Sequence, residues 1–109
     1  MIYNIFEGLT FYPEKEIEDI IFEDKKIKIT RIMSLDQETP EMDQDELEIV
    51  MLLEGEAKIL LDENIINLKR GDILEIPPHK IHKVTWQDHA LWLCIFTKWG
   101  QMAFFIYIF

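Results

Sequence analysis

The sequence has 109 residues, 49% of them hydrophobic, and its 11 basic and 21 acidic side chains give a formal net charge of -10. That length suits one domain, and the apolar content is enough for a core, which excludes a disordered chain. The acidic balance repels phosphate backbones and anionic bilayers, so no nucleic-acid partner and no membrane is expected.

The opening MIYNIFEGLT has no basic segment leading into a long apolar run and a small-residue cleavage site, so the expected location is cytoplasmic. Pro13, followed closely by Glu14, Glu16 and Glu18, predicts a short helical turn within Pro13 to Phe22. From Lys26 the pattern KIKITRIM alternates apolar with polar residues and predicts a strand. Residues 36–46 (DQETPEMDQDE) are acidic, contain Pro40 and read as an exposed loop.

A meander follows. Strands are predicted over Glu48 to Leu53, Ala57 to Leu61, Ile65 to Leu68 and Ile73 to Ile76, with turns at Gly55, around Asp62 and at Gly71. Pro77 and Pro78 stop the last of these, and strands at Lys83 to Trp86 and Ala90 to Thr97 complete the series. Short, evenly spaced strands with almost no helix point to an all-β sandwich or barrel. The chain therefore reads as a single domain over 1–109, with a short N-terminal extension, a barrel core at about 26–97 and an apolar tail at 98–109. The tail ends in MAFFIYIF, which is far shorter than a membrane-spanning helix needs. It is expected to lie in the core or to pair as a strand in a dimer.

Candidate chemistry lies in two places. His79, His82 and His89 fall within eleven residues, and histidine is the commonest metal ligand. An extended chain would put His79 and His82 on opposite faces, so only one of them is expected to look inward. The second place is the carboxylate group Asp43, Glu46 and Glu48, where Glu48 opens an apolar strand. An inward carboxylate there must be paired, hydrogen-bonded or metal-bound. The lone Cys94, inside LWLCIF, reads as a small hydrophobe. Trp86 and Trp92 are candidates to line a pocket or to fill the core.

The stretch from Asp43 to Phe96 resembles the cupin superfamily, in particular its small single-domain RmlC-like members. That family's second motif runs glycine, five residues, proline, one residue, glycine, two residues, histidine, three residues, asparagine. Gly71, Pro77 and His82 fall in register with it, while His79 stands at the second glycine and Trp86 at the asparagine. IPPHKIHKV is similar to the form found in many small bacterial cupins. In the first motif Glu48 and Gly55 match, but both histidines are absent, and counting back reaches Met42 and Gln44 or Glu41 and Asp43. The run DQDELEIVMLLEGEA resembles a subgroup that lacks those histidines.

The resemblance implies a double-stranded β-helix, or jelly roll, with a pocket built on Glu48, His82, Gln44, Trp86 and Trp92. It implies a divalent metal (zinc, iron, manganese or nickel) on Glu48 and His82, with Gln44, Asp43 or His79 available to complete the set. It also implies a homodimer. The function expected is binding of a small molecule in that pocket, with His82 as the candidate catalytic base. The alternative is a non-catalytic sensor or interaction module that uses the barrel as a dimeric scaffold.

Overall fold

Every regular element among the described residues is a strand, and all strand pairs are antiparallel. The structure, a computed structural model, describes residues 1–98. The strands are β1 (Ile17–Glu23), β2 (Ile27–Leu35), β3 (Leu47–Glu54), β4 (Glu56–Leu61), β5 (Asn64–Lys69), β6 (Ile73–Ile76), β7 (His82–Gln87) and β8 (His89–Thr97). They form a five-stranded sheet ordered β1-β2-β8-β3-β6 and a three-stranded sheet ordered β5-β4-β7. This is a jelly-roll sandwich, the fold that the resemblance implies.

Register sets which residues face inward. Thr30 pairs with Cys94 and Ile32 with Trp92 across β2 and β8, while Val50 pairs with Cys94 and Leu52 with Trp92 across β3 and β8. Partners in an antiparallel pair project to the same face, so these rows form one apolar surface. The smaller sheet meets it with Ala57, Ile59 and Leu68, and the residues join Ile76 and Ala90 in one core cluster. Fully burying a side chain such as Leu52 contributes about 1.5–3 kcal/mol.

Tight turns hold the meander. Gly55 has φ +90°, and a Cβ there would meet the His89 carbonyl oxygen at 2.5 Å and Asp88 Oδ1 at 2.7 Å, so β3 can pass into β4 only through glycine. In the β1–β2 hairpin, Asp24 Oδ1 accepts the Lys26 and Ile27 amides at 2.7 and 2.8 Å.

Two expectations are corrected. Pro13 to Phe22 holds no helical turn: Pro13 and Glu14 form a tight turn closed by a Tyr12–Lys15 bridge, and the chain then enters β1. The alternately half-buried Ile17, Asp19 and Ile21, with Ile17 opposite Met33, favour a strand over a helix once β2 is present to pair with. The acidic loop is also less exposed than predicted. It runs along the open edge of β7, where Thr39 and Met42 bond to the backbones of Val84 and His82.

The N-terminal extension crosses the outer face of the large sheet. Arg31, 5% exposed, holds it there through the Ile5 and Glu7 carbonyls at 3.1 and 2.6 Å and through Asp19 at 2.6 Å. The apolar tail expected to pair as a strand lies outside the described residues.

Candidate functional site

The prolines after β6 and the turn that follows them position His82. Pro77 and Pro78 offer no N–H to a ladder, so the strand ends. His79 then takes φ +62°, its amide donates to the Gln44 carbonyl at 2.8 Å, and the Lys80 amide donates to the Pro77 carbonyl at 3.3 Å. The chain turns back into β7, and paired backbone bonds between His82 and Met42 at 2.8 and 3.0 Å fix the histidine. Its ring is buried, with a side chain 3% exposed, while that of His79 is 65% exposed. One histidine of the two looks inward, as expected, although a left-handed turn rather than an extended chain separates them.

His82 faces Glu48, which β3 sends inward opposite Ile76 and Phe96. His82 Nε2 lies 3.5 Å from Glu48 Oε1, and that oxygen accepts the Gln44 amide at 2.9 Å. His82 Nδ1 donates to the Lys80 carbonyl at 2.8 Å. This leaves Nε2 buried without a hydrogen-bond partner among the described residues. Burial, the largest influence, pulls the His82 pKa down. The Glu48 contact, the bond to the Lys80 carbonyl and the charges of Glu48 and Asp43 outweigh it, and the net shift is upward. The pair can therefore hold or release a proton at Nε2.

The two side chains border a cavity of about 180 Å³ between the sheets. Gln44 and Trp92 line it, along with Glu16, Glu18, Met42, Cys94 and Phe96. Burial drives the Cys94 thiol well above its ordinary pKa, which keeps it an inert wall residue.

Trp86 is outside the cavity. Alternation from His82 and Val84 would turn it inward, but β7 carries a bulge: Val84 pairs with Ile59 and Trp86 with Lys58, which leaves Thr85 as the extra residue. The bulge reverses the faces, so Trp86 is 43% exposed and Gln87, at 1%, points in. Asp43 and His79 are also absent from the cavity wall. His79 Nδ1 is 3.0 Å from Asp43 and its Nε2 is 3.2 Å from Asp45, an exposed cluster that the left-handed turn holds toward solvent.

Of the residues that sequence reasoning missed, Cys94 and Phe96 carried a signal, since they alternate with Trp92 along β8. Glu16 carried none. It accepts Ser34 Oγ at 2.5 Å and Gln87 Nε2 at 3.1 Å, and Gln87 Oε1 accepts the Trp92 indole N–H at 2.8 Å.

The cupin domain family matches residues 31–96, more than half of the chain. The chain belongs to the cupin family. Among solved structures, this cupin is 30% identical to a candidate mannose-6-phosphate isomerase of Ralstonia eutropha, over 89% of this chain and 97% of that one, with a TM-score of 0.84. An RmlC-like cupin of Desulfovibrio desulfuricans is 22% identical over 90% and 96% of the two chains, with a TM-score of 0.79. A Thermus thermophilus protein, TT1209, is 20% identical over 88% and 95%, with a TM-score of 0.77. No curated protein sequence matches the chain.

Cupins often bind metals, and a resident catalytic metal takes about three protein donors. Among the described residues no group of three His, Cys, Asp or Glu side chains is arranged to hold one. Glu48 and His82 supply two donors, and their neighbour Gln44 supplies an amide already turned onto Glu48. The described residues do not fit a resident metal. No helix among them is long and apolar enough to cross a membrane.

Proposed function

We propose that this cupin binds a small molecule in the cavity between its sheets, with Glu48 and His82 as the polar anchor. The observation that carries this reading is the buried His82 Nε2, which has no hydrogen-bond partner and stands beside a carboxylate at the wall of a cavity. Leaving a buried polar atom unpaired costs about 1–3 kcal/mol, and a ligand that pairs it recovers that cost. The cavity is smaller than the roughly 300–1,000 Å³ of drug-sized sites, so the ligand is a small metabolite. The open space between the sheets also favours this reading over a pure scaffold, whose barrel would be filled by side chains.

The designation of the Ralstonia protein directs attention to phosphorylated sugars. Against that class, Glu16, Glu18 and Glu48 border the cavity, and no Lys or Arg among the described residues lines it. The reading is tested by a thermal-shift screen of small metabolites, with hits measured by calorimetry on the wild type, His82→Ala and Glu48→Gln. The expected result is a hit whose affinity falls at least about tenfold in both variants, the scale of a charge-assisted hydrogen bond. Hits indifferent to both variants, or none across the screen, would overturn it.

We further propose that the protein pairs as a homodimer. The outer face of the large sheet leaves Phe22 and Ile73 exposed at 46% and 60% beside half-buried Ile49, Met51, Leu93 and Ile95. Sedimentation velocity should give a dimer at micromolar concentration, and a monomer would contradict this.

A further inference from the structure

The Glu48–His82 pair has a mismatch that says what kind of ligand it takes. The Lys80 carbonyl occupies His82 Nδ1 at 2.8 Å, so the neutral ring carries its proton there and presents a lone pair at Nε2. Facing that lone pair at 3.5 Å is Glu48 Oε1, also an acceptor. Two acceptors set against each other in a buried site call for a donor between them or a proton on the ring, and a cationic donor also offsets the charge of Glu48. The 3.5 Å separation admits a donor nitrogen within about 2.9 Å of both atoms. Glu48 Oε1 already accepts Gln44, and a carboxylate oxygen has room for a second donor.

The rest of the cavity agrees. Glu16 and Glu18 add negative charge to its wall, and Lys28, which does not line it, pairs with Glu18 at 3.7 Å and lies 5.8 Å from the centre of the Phe96 ring. Between the carboxylates the wall is apolar and includes the aromatic rings of Trp92 and Phe96, whose faces attract cations.

We propose that the ligand is a small primary amine with an apolar body, its ammonium group bridging Glu48 Oε1 and His82 Nε2. This inference rests on the ligand-binding reading above and narrows it to cationic compounds, excluding phosphorylated ones. An acidic wall alone would say little, but the unpaired buried nitrogen beside it asks for a donor.

The test is calorimetric titration of the full chain with n-butylamine, butan-1-ol, butyrate and inorganic phosphate, in amine-free buffer. The amine should bind at least about tenfold tighter than the alcohol, because the hydrogen bonds it makes are charge-assisted. Butyrate and phosphate should show no binding. Glu48→Gln should weaken the amine by about tenfold or more and leave the alcohol within about twofold. If that variant does not fold, the wild-type comparison of amine with alcohol decides. Binding of the alcohol or either anion at least as tightly as the amine would overturn the amine assignment and leave the ligand-binding reading standing. Near-stoichiometric zinc, iron, manganese or nickel in protein purified without chelator, lost in His82→Ala, would overturn it in favour of a metal.

Discussion

Two of the carboxylates that border the cavity, Glu16 and Glu48, are treated differently. Along β8, Ala90 pairs with Ser34 near Glu16, and Phe96 pairs with Glu48, so the carboxylates are separated by about 20 Å of strand. Around Glu16 the polar groups are paired: Ser34 and Gln87 donate to it, and Gln87 also donates to the Gln37 carbonyl and accepts from Trp92. Around Glu48 the pairing stops short, and His82 Nε2 is left without a partner. A closed network specifies a core, while an open one in a cavity waits for something to complete it. On the proposed reading, the Glu16 end is architecture and the Glu48 end is the site.

Substitutions should separate the two ends, and the largest effect belongs to Gln87→Leu. It leaves the Trp92 indole N–H buried without an acceptor and takes a donor from Glu16, so urea denaturation should show a loss of about 3 kcal/mol. A loss under about 1 kcal/mol would mean that the network is not structural. Ser34→Ala removes one donor to the same carboxylate and should cost about 1–2 kcal/mol in the same assay.

Glu48→Gln should stay within about 1 kcal/mol of the wild type, because the amide keeps the shape and can donate to His82 Nε2. The same variant should lose ligand affinity, which sharpens the contrast. A smaller effect is the pH dependence. The folded pKa of His82 is raised, so its stabilising contribution is fully present below the unfolded histidine value and fades as pH rises through the folded one. Urea midpoints taken upward from about pH 6 should show this decline in the wild type and a weaker one in Glu48→Gln. Parallel curves for the two proteins would contradict the pairing.

Much of this was legible in the sequence. Alternation and turn residues located most of the strands, and the spacing of Gly71, Pro77 and His82, with that of Glu48 and Gly55, selected the two residues that meet in the cavity. Three features were hidden for physical reasons. β1 lies where Pro13 and the acidic residues after it suit a helix start, and only pairing with β2 makes it a strand. Thr85 gives no local sign of a bulge, since no glycine marks it, yet it decides that Trp86 faces solvent and Gln87 the interior. Glu16, Ser34 and Gln87 converge from distant parts of the chain, so no spacing rule could join them.

His79 shows the opposite case. Its φ of +62° lies in the region that favours glycine, the residue of the family pattern at this position. The same turn holds its ring against Asp43 and Asp45, away from the cavity. Its proximity to His82 in sequence therefore carries no shared chemistry.

The central claim, that His82 presents Nε2 to Glu48 while the Lys80 carbonyl holds Nδ1, is tested most directly by long-range proton–nitrogen NMR of the imidazole in the ligand-free protein. The account predicts that neutral His82 carries its proton on Nδ1 and that its pKa stands above the ordinary histidine value of about 6.5 and falls in Glu48→Gln. A proton on Nε2 in the neutral ring, or a pKa unmoved by the substitution, would contradict it.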